Sequence, residues 1–104
     1  EIPEVYYAAH RNDSTIYPDC RAEFIEALRP AIRLATAWHP VELHAPFAAN
    51  SKAEIVRLGL ELGVPYEMTW SCYQGGERPC RSCPTCIERE EAFALNGVID
   101  PLVG

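Results

Sequence analysis

Four of the chain's five cysteines fall inside one stretch, SCYQGGERPCRSCPTC at residues 71–86, at positions 72, 80, 83 and 86. A disulfide scaffold spreads its cysteines to staple distant loops, and an odd total cannot pair completely. Clustering in one hairpin-sized stretch points instead to a metal and a reducing compartment. Four thiolates suit a tetrahedral Zn²⁺, whose arms of about 2.3 Å a chain can reach by folding back across two-residue gaps. Gly75 and Gly76 permit the reversal between Cys72 and Cys80. Arg78 and Arg81 stand beside thiolates whose excess negative charge needs balancing. With sulfur at all of Cys72, Cys80, Cys83 and Cys86 no coordination position is open to water or substrate, so the ion is expected to be structural. A C-x2-C-x2-C triplet also suits an iron–sulfur cluster, and plain buried thiols or disulfides are the simplest alternative. Zinc accounts best for all four together.

Few other residues offer chemistry. Cys20 has no partner in the cluster, and a lone cysteine is most often a small buried hydrophobe. Asp19 suits a helix N-cap. Lys52, in the first turn of a helix, opposes the helix dipole, which hints at a role beyond solvation. His10 closes the first strand at the end where α/β folds bind ligands. His10, His39 and His44 have no evident partner and read as structural, the EREE run at 88–91 as a solvated helix face, and Tyr6 and Tyr7 as core.

The totals limit what can position these groups. The chain has 104 residues, 48 % of them hydrophobic, enough for one modest core in a globular domain. No apolar run reaches the ~20 residues of a membrane span, and no segment reads as a secretory signal. The formal charge is −6, and Zn²⁺ in place of four thiol protons would take it to −8. With cations scattered over such a surface, direct nucleic-acid binding is not expected.

Stepping along the chain, EVYYAA at 4–9 predicts a buried strand and HRNDSTIYP at 10–18 a turn-rich loop. A helix is expected from Asp19 to Ala37 on the pattern Phe24, Leu28, Ala31, Ile32, Ala35, kinked or broken at Pro30. VELHA at 41–45 is the second strand. The next helix opens on a capping box, Ser51 with Glu54, lines one face with Ile55, Leu58 and Leu62, and stops at Gly63. YEMTW at 66–70 predicts a third short strand, and a last helix should run from Pro84 to Gly97. Alternating strands and helices give an α/β class: a partial parallel sheet with flanking helices, plus a zinc-binding knuckle. Residues 1–70 form an incomplete α/β segment with a loop at 10–21, and residues 71–104 the knuckle and C-terminal helix.

Three stretches, YPDCR at 17–21, SKAEI at 51–55, and TWSCY followed by CRSCPTC, resemble in order and spacing the C-terminal half of 7-cyano-7-deazaguanine synthase. The resemblance runs from about Val5 to Leu102. That family belongs to the ATP-pyrophosphatase superfamily, of adenine-nucleotide alpha-hydrolase-like fold, and makes the nitrile precursor of the modified tRNA bases queuosine and archaeosine. The resemblance implies an ATP- and Mg²⁺-dependent ligase that activates 7-carboxy-7-deazaguanine, admits ammonia, and dehydrates the amide to the nitrile. It implies structural zinc on Cys72, Cys80, Cys83 and Cys86. It puts Tyr17, Pro18, Asp19, Cys20 and Arg21 at the deazapurine, and Lys52 near the nucleotide phosphates, with Asp19 and Lys52 the candidate catalytic groups. A cytoplasmic homo-oligomer acting on the free base, without touching tRNA or membrane, is the matching expectation.

One departure stands out. The superfamily cradles pyrophosphate on a Ser-Gly-Gly-x-Asp-Ser loop. The sole Gly-Gly here is Gly75-Gly76, inside the cysteine stretch. The chain also starts at Glu1 and runs straight into IPEVYYAA. The expectation is a piece of a longer enzyme, or a half completed by another polypeptide, inactive alone. The rival expectations are a non-catalytic zinc module derived from that fold, and a homologue redirected to modify a protein.

Overall fold

The computed structural model describes residues 2–104. It is an α/β structure with two parallel strands and three α-helices, in two compact units, Glu1–Ser51 and Lys52–Gly104. The second helix groups with the cysteine stretch.

In the first unit, β1 (Glu4–Tyr6) pairs in parallel with β2 (Glu42–His44), in the register Glu4–Glu42, Val5–Leu43, Tyr6–His44. Both strands are shorter than expected. Tyr6 is 65 % exposed, so it is not a core residue; its ring stacks on His44 at 5.0 Å. Tyr7 is half-buried against the core formed by Ala9, Ile25 and Leu43. Between the strands runs α1 (Ala22–Ala35), continuous through Pro30. Its inward stripe is Ile25, Leu28 and Ile32; Leu28 and Ile32 lie where expected, but Ile25 takes the place of Phe24, which is exposed, as are Ala31 and Ala35. Two guanidiniums on the same helix fasten it to β2. Arg29 Nε donates to the Leu43 carbonyl at 3.1 Å, and Arg33 grips the Glu42 carboxylate with two bonds of 2.8 and 2.7 Å.

In the second unit, α2 (Lys52–Leu62) begins directly after Ser51, where a cap was expected. Its buried face is Val56 and Gly59, whereas Leu58 and Leu62 face outward. The helix stops as expected, Gly63 taking the left-handed conformation at φ 73°. The expected strand at 66–70 is instead a single 3₁₀ turn, Tyr66–Met68. The reason is local packing: the Tyr66 ring lies on bare Gly59, donates its hydroxyl to the Val56 carbonyl at 3.2 Å, and meets Phe93 edge-on at 5.0 Å. A strand would turn that ring away. The last helix, α3 (Pro84–Leu95), starts at the expected proline and packs Ala92 and Phe93 against Val56. Asn96 Nδ2 closes the pair by donating to the Ala53 and Ala92 carbonyls at 2.9 and 2.8 Å. No helix among the described residues is long and apolar enough to cross a membrane.

Candidate metal centre

The cysteines converge from three directions. Cys72 arrives on the segment that follows the Tyr66–Met68 turn, and the Trp70 indole donates to its carbonyl at 2.9 Å. Cys80 lies beyond the reversal at Gly75 and Gly76, whose φ angles of 70° and 93° confirm the turn expected there. Cys83 is the N-cap of α3, and Cys86 sits in that helix's first turn. The four sulfurs lie within 4.8 Å of one another, and Cys80 Sγ to Cys86 Sγ is 3.9 Å. Arms of about 2.3 Å to one tetrahedral ion give sulfur–sulfur edges of about 3.8 Å. The spacing fits one ion. A four-iron cube holds each sulfur on a different iron and spreads them wider than this.

Backbone amides already aim at the sulfurs. Ser82 N and Cys83 N donate to Cys80 Sγ at 3.4 and 3.3 Å, and Cys80 N donates to Cys72 Sγ at 3.4 Å. Arg81 makes this knuckle possible by adopting φ 63°, and is the single non-glycine residue to do so among those described. A left-handed residue bearing a Cβ is strained by about 1 kcal/mol. The Arg81 side chain offsets part of this by clasping Glu90 on α3 at 2.8 and 3.2 Å, which also draws the Glu90 carboxyl below its usual range.

The electrostatics are uneven. Thr85, with its oxygen 3.2 Å from Cys83 Sγ, draws that thiol down to about 5, helped by neighbouring amides. The Ser82 amide lowers Cys80. Burial pushes Cys86 up to about 12. The donors around Cys80 and Cys83 thus favour thiolate there, while burial disfavours it at Cys86. Among the described residues these four cysteines can hold a metal ion.

Behind the cage lies a group that the sequence did not flag. Arg89 and Asp100 are 6 % and 3 % exposed and form a two-bond ion pair at 2.5 and 3.0 Å. Only part of the EREE run is therefore solvated. Its arginine faces inward, one helical turn past Cys86.

The model of one family, described as "Queuosine biosynthesis protein QueC", matches residues 1–97. The chain belongs to the QueC family. Over 100 residues it is 66 % identical to a 7-cyano-7-deazaguanine synthase of Archaeoglobus fulgidus, covering 96 % of this chain and 42 % of that protein. The synthase of Caldicellulosiruptor bescii is 52 % identical over 95 % of this chain and 44 % of its own length. That of Marinobacter nauticus is 50 % identical over 94 % and 44 %. The chain thus spans less than half the length of the curated relatives it matches.

In this QueC-family chain the other candidate residues are distributed as follows. Pro18, Asp19 and Cys20 form a 3₁₀ turn flanked by Tyr17 and Arg21, both with extended backbones. Arg21, not Asp19, is the N-cap of α1; its Nε donates to the Ser14 carbonyl at 3.0 Å. The Asp19 carboxylate stays exposed and accepts a long S–H contact from Cys20, at 3.8 Å. Tyr7 connects this turn to β1: its hydroxyl donates to the Asp19 carbonyl at 3.1 Å and lies 3.4 Å from Cys20 Sγ. That contact, together with burial, pushes the phenol up to about 12. His10 does have a partner, since its Nε2 is 3.2 Å from Asp13. Lys52 Nζ lies 3.7 Å from the Glu88 carboxylate.

Proposed function

We propose that this chain is the zinc-bearing part of a 7-cyano-7-deazaguanine synthase, acting with the remainder of that fold to convert 7-carboxy-7-deazaguanine and ammonia to the nitrile. The convergence of four sulfurs to one-ion spacing, in a chain of this family, carries the reading. Zinc suits the all-sulfur donor set and would bind Cys72, Cys80, Cys83 and Cys86, neutralising thiolates and tying the segment before α3 to that helix. It supplies no open coordination position, so the reaction belongs elsewhere.

A carboxylate resists attack by ammonia because the negative charge shared by its two oxygens quenches the electrophilic carbon and neither oxygen is a leaving group. Transfer of a nucleotidyl group from ATP, with release of pyrophosphate, would give one carboxyl oxygen a route out, and Mg²⁺ would serve the phosphates. Ammonia would then displace the nucleoside monophosphate and lose a proton to give the amide. A second ATP would activate the amide oxygen, which leaves on phosphorus as nitrogen gives up its last two protons to form the nitrile. Each carbon–oxygen bond broken is matched by an oxygen retained on phosphorus. The exposed turn Tyr17–Arg21 offers a carboxylate, a guanidinium and an aromatic ring to a planar base with amino and carboxyl substituents. Lys52 would serve the phosphates once released from Glu88. The acidic composition suits a free base better than tRNA, and unpaired thiols suit the cytoplasm. A homo-oligomeric enzyme remains part of the proposal.

The test is metal analysis and native mass spectrometry of the protein purified from its source, followed by an assay with 7-carboxy-7-deazaguanine, ammonia and Mg-ATP. One zinc per chain, with nitrile produced when the remaining half of the fold is present, is the expected result. One zinc and no nitrile under those conditions would overturn the ligase reading and leave an interaction module. Protein without metal would overturn the reading of the cysteines.

A further inference from the structure

We propose that Arg89 is a positioning residue for the metal cage, holding the entry to Cys72 against the helix that carries Cys83 and Cys86. The proposal deepens the zinc reading above and rests on it.

A guanidinium has five N–H donors in a rigid plane. Arg89 has five oxygens around it. Nε and Nη2 hold the Asp100 carboxylate at 2.5 and 3.0 Å, and Nη2 also donates to the Tyr66 carbonyl at 3.0 Å. Nη1 donates to Thr69 Oγ1 at 2.9 Å and Ser71 Oγ at 3.4 Å. Three of those five acceptors, on Tyr66, Thr69 and Ser71, lie on the segment that delivers Cys72. Ser71 continues the chain of contacts, because its carbonyl accepts from the Thr85 hydroxyl at 2.8 Å, and Thr85 Oγ1 lies 3.2 Å from Cys83 Sγ. Cys86 precedes Arg89 by one turn of α3. The same planar group thus sets where Cys72 stands relative to Cys83 and Cys86. Asp100 neutralises it and is itself oriented by the Leu102 amide at 3.0 Å. Groups that orient ligands without touching the metal typically change metal affinity about 10–100-fold when removed.

A buried ion pair that merely stabilises the fold would give a different pattern, so the variants separate the two roles. In Arg89→Lys the charge beside Asp100 is kept but the fork to Tyr66, Thr69 and Ser71 is lost. In Asp100→Asn the fork is kept and the charge partner lost. Arg89→Met with Asp100→Asn removes both charges together and leaves no unpaired buried ion, guarding against simple unfolding.

The full chain is loaded with Zn²⁺ and, separately, with Co²⁺, and its folding is checked by far-ultraviolet circular dichroism. Zinc release to a chromophoric chelator and the visible bands of the tetrahedral cobalt site are then recorded. Release is expected about tenfold faster in Arg89→Lys and in the double variant, with altered cobalt bands. Asp100→Asn should keep the parent bands and release within about threefold of the parent, below that outer-ligand range. Folded Arg89→Lys or double variant with parental release and bands would overturn the role of Arg89. So would Asp100→Asn changing as much as Arg89→Lys, since the ion pair rather than the fork would then matter. A parent chain that takes up neither metal would overturn the cage reading, and this inference with it.

Discussion

Placing alanine at Gly59 sets helix propensity directly against packing. Gly59 lies inside α2, where alanine is favoured over glycine by about 1 kcal/mol. Judged by propensity alone, Gly59→Ala should stabilise the chain. A Cβ at that position, however, would overlap Tyr66 Oη and lie 2.7 Å from Tyr66 Cζ. The ring cannot retreat by rotating a flexible tip, because its edge is packed on Phe93 and its hydroxyl is bonded to the Val56 carbonyl. Moving it forfeits a hydrogen bond of about 1 kcal/mol and part of an aromatic pair worth about 0.5–1.5 kcal/mol. Strain from overpacking adds about 1–3 kcal/mol. After the propensity gain, a net loss of about 2 kcal/mol remains.

The assay is urea unfolding of the metal-loaded chain, read by tryptophan fluorescence in a Trp38→Phe background. Trp70 then reports alone on the unit that contains Gly59, since the chain has two tryptophans. A second check comes from Tyr66→Phe, which removes the overlapping oxygen but leaves the Cζ contact at 2.7 Å. In that background the cost of Gly59→Ala should shrink by about 1 kcal/mol, the share assigned to the hydroxyl. If Gly59→Ala raises stability by the propensity gain, the packing argument for the Tyr66 turn is refuted.

Other outcomes follow from the same contacts. Arg81→Gly should be more stable than Arg81→Ala by about 1 kcal/mol, because both lose the exposed Glu90 pair but only glycine relieves φ 63°; equal unfolding midpoints would count against strain there. Removing the metal with a chelator should change Trp70 fluorescence strongly, through its bond to the Cys72 carbonyl, while the α2 and α3 signal in circular dichroism persists on the Val56, Ala92 and Phe93 core. Cys86→Ser should abolish stoichiometric zinc in purified protein, since the buried fourth thiolate is gone. Tyr7 has a folded pKa of about 12 against 10.0 when free, so its contribution is complete below pH 10 and is lost as pH rises towards 12. Stability should therefore fall less steeply across that window in Tyr7→Phe, and parallel pH profiles would argue against the Cys20 contact.

Much of the fold was legible because it depends on local chemistry. Pro84 and the glycine at 63 mark helix ends by backbone constraint alone, and both ends lie where those residues put them. The stripes were less legible. In α1 the inward residue is Ile25 rather than Phe24, and in α2 it is Val56 with Gly59 rather than Leu58 and Leu62. Periodicity gives the width of an apolar face but not its rotation when apolar residues occur on both sides of it. The segment 66–70 shows the same limit in another form. Its β-favouring composition is overridden by one ring lying on one glycine 7 residues away, a pairwise contact that summed propensities do not register.

The site divides along the same line. The clustering of the sulfurs could be read from spacing because cysteines two residues apart are kept close by the chain itself, and the glycines at 75 and 76 let Cys72 return to them. Arg89 could not, because a charged residue in a run of charges looks solvated until its counter-charge is found, and Asp100 stands 11 positions away beyond the end of α3. A burial of 6 % for a guanidinium is sustained only where its donors are met, and here the acceptors come from the 66–71 segment and from Asp100. A metal held only by its four ligands would let Cys72 swing on the segment before it. Binding that segment to α3 through a planar five-donor group removes this freedom before the ion arrives, so less ordering is left for metal binding to accomplish. The order of events that follows is testable: hydrogen exchange in the metal-free chain should be slower at residues 69–71 than in the Gly75–Gly76 loop, which has no such tether among the described contacts. Equal exchange in the two segments would mean that the ion, and not Arg89, organises the entry to the cage.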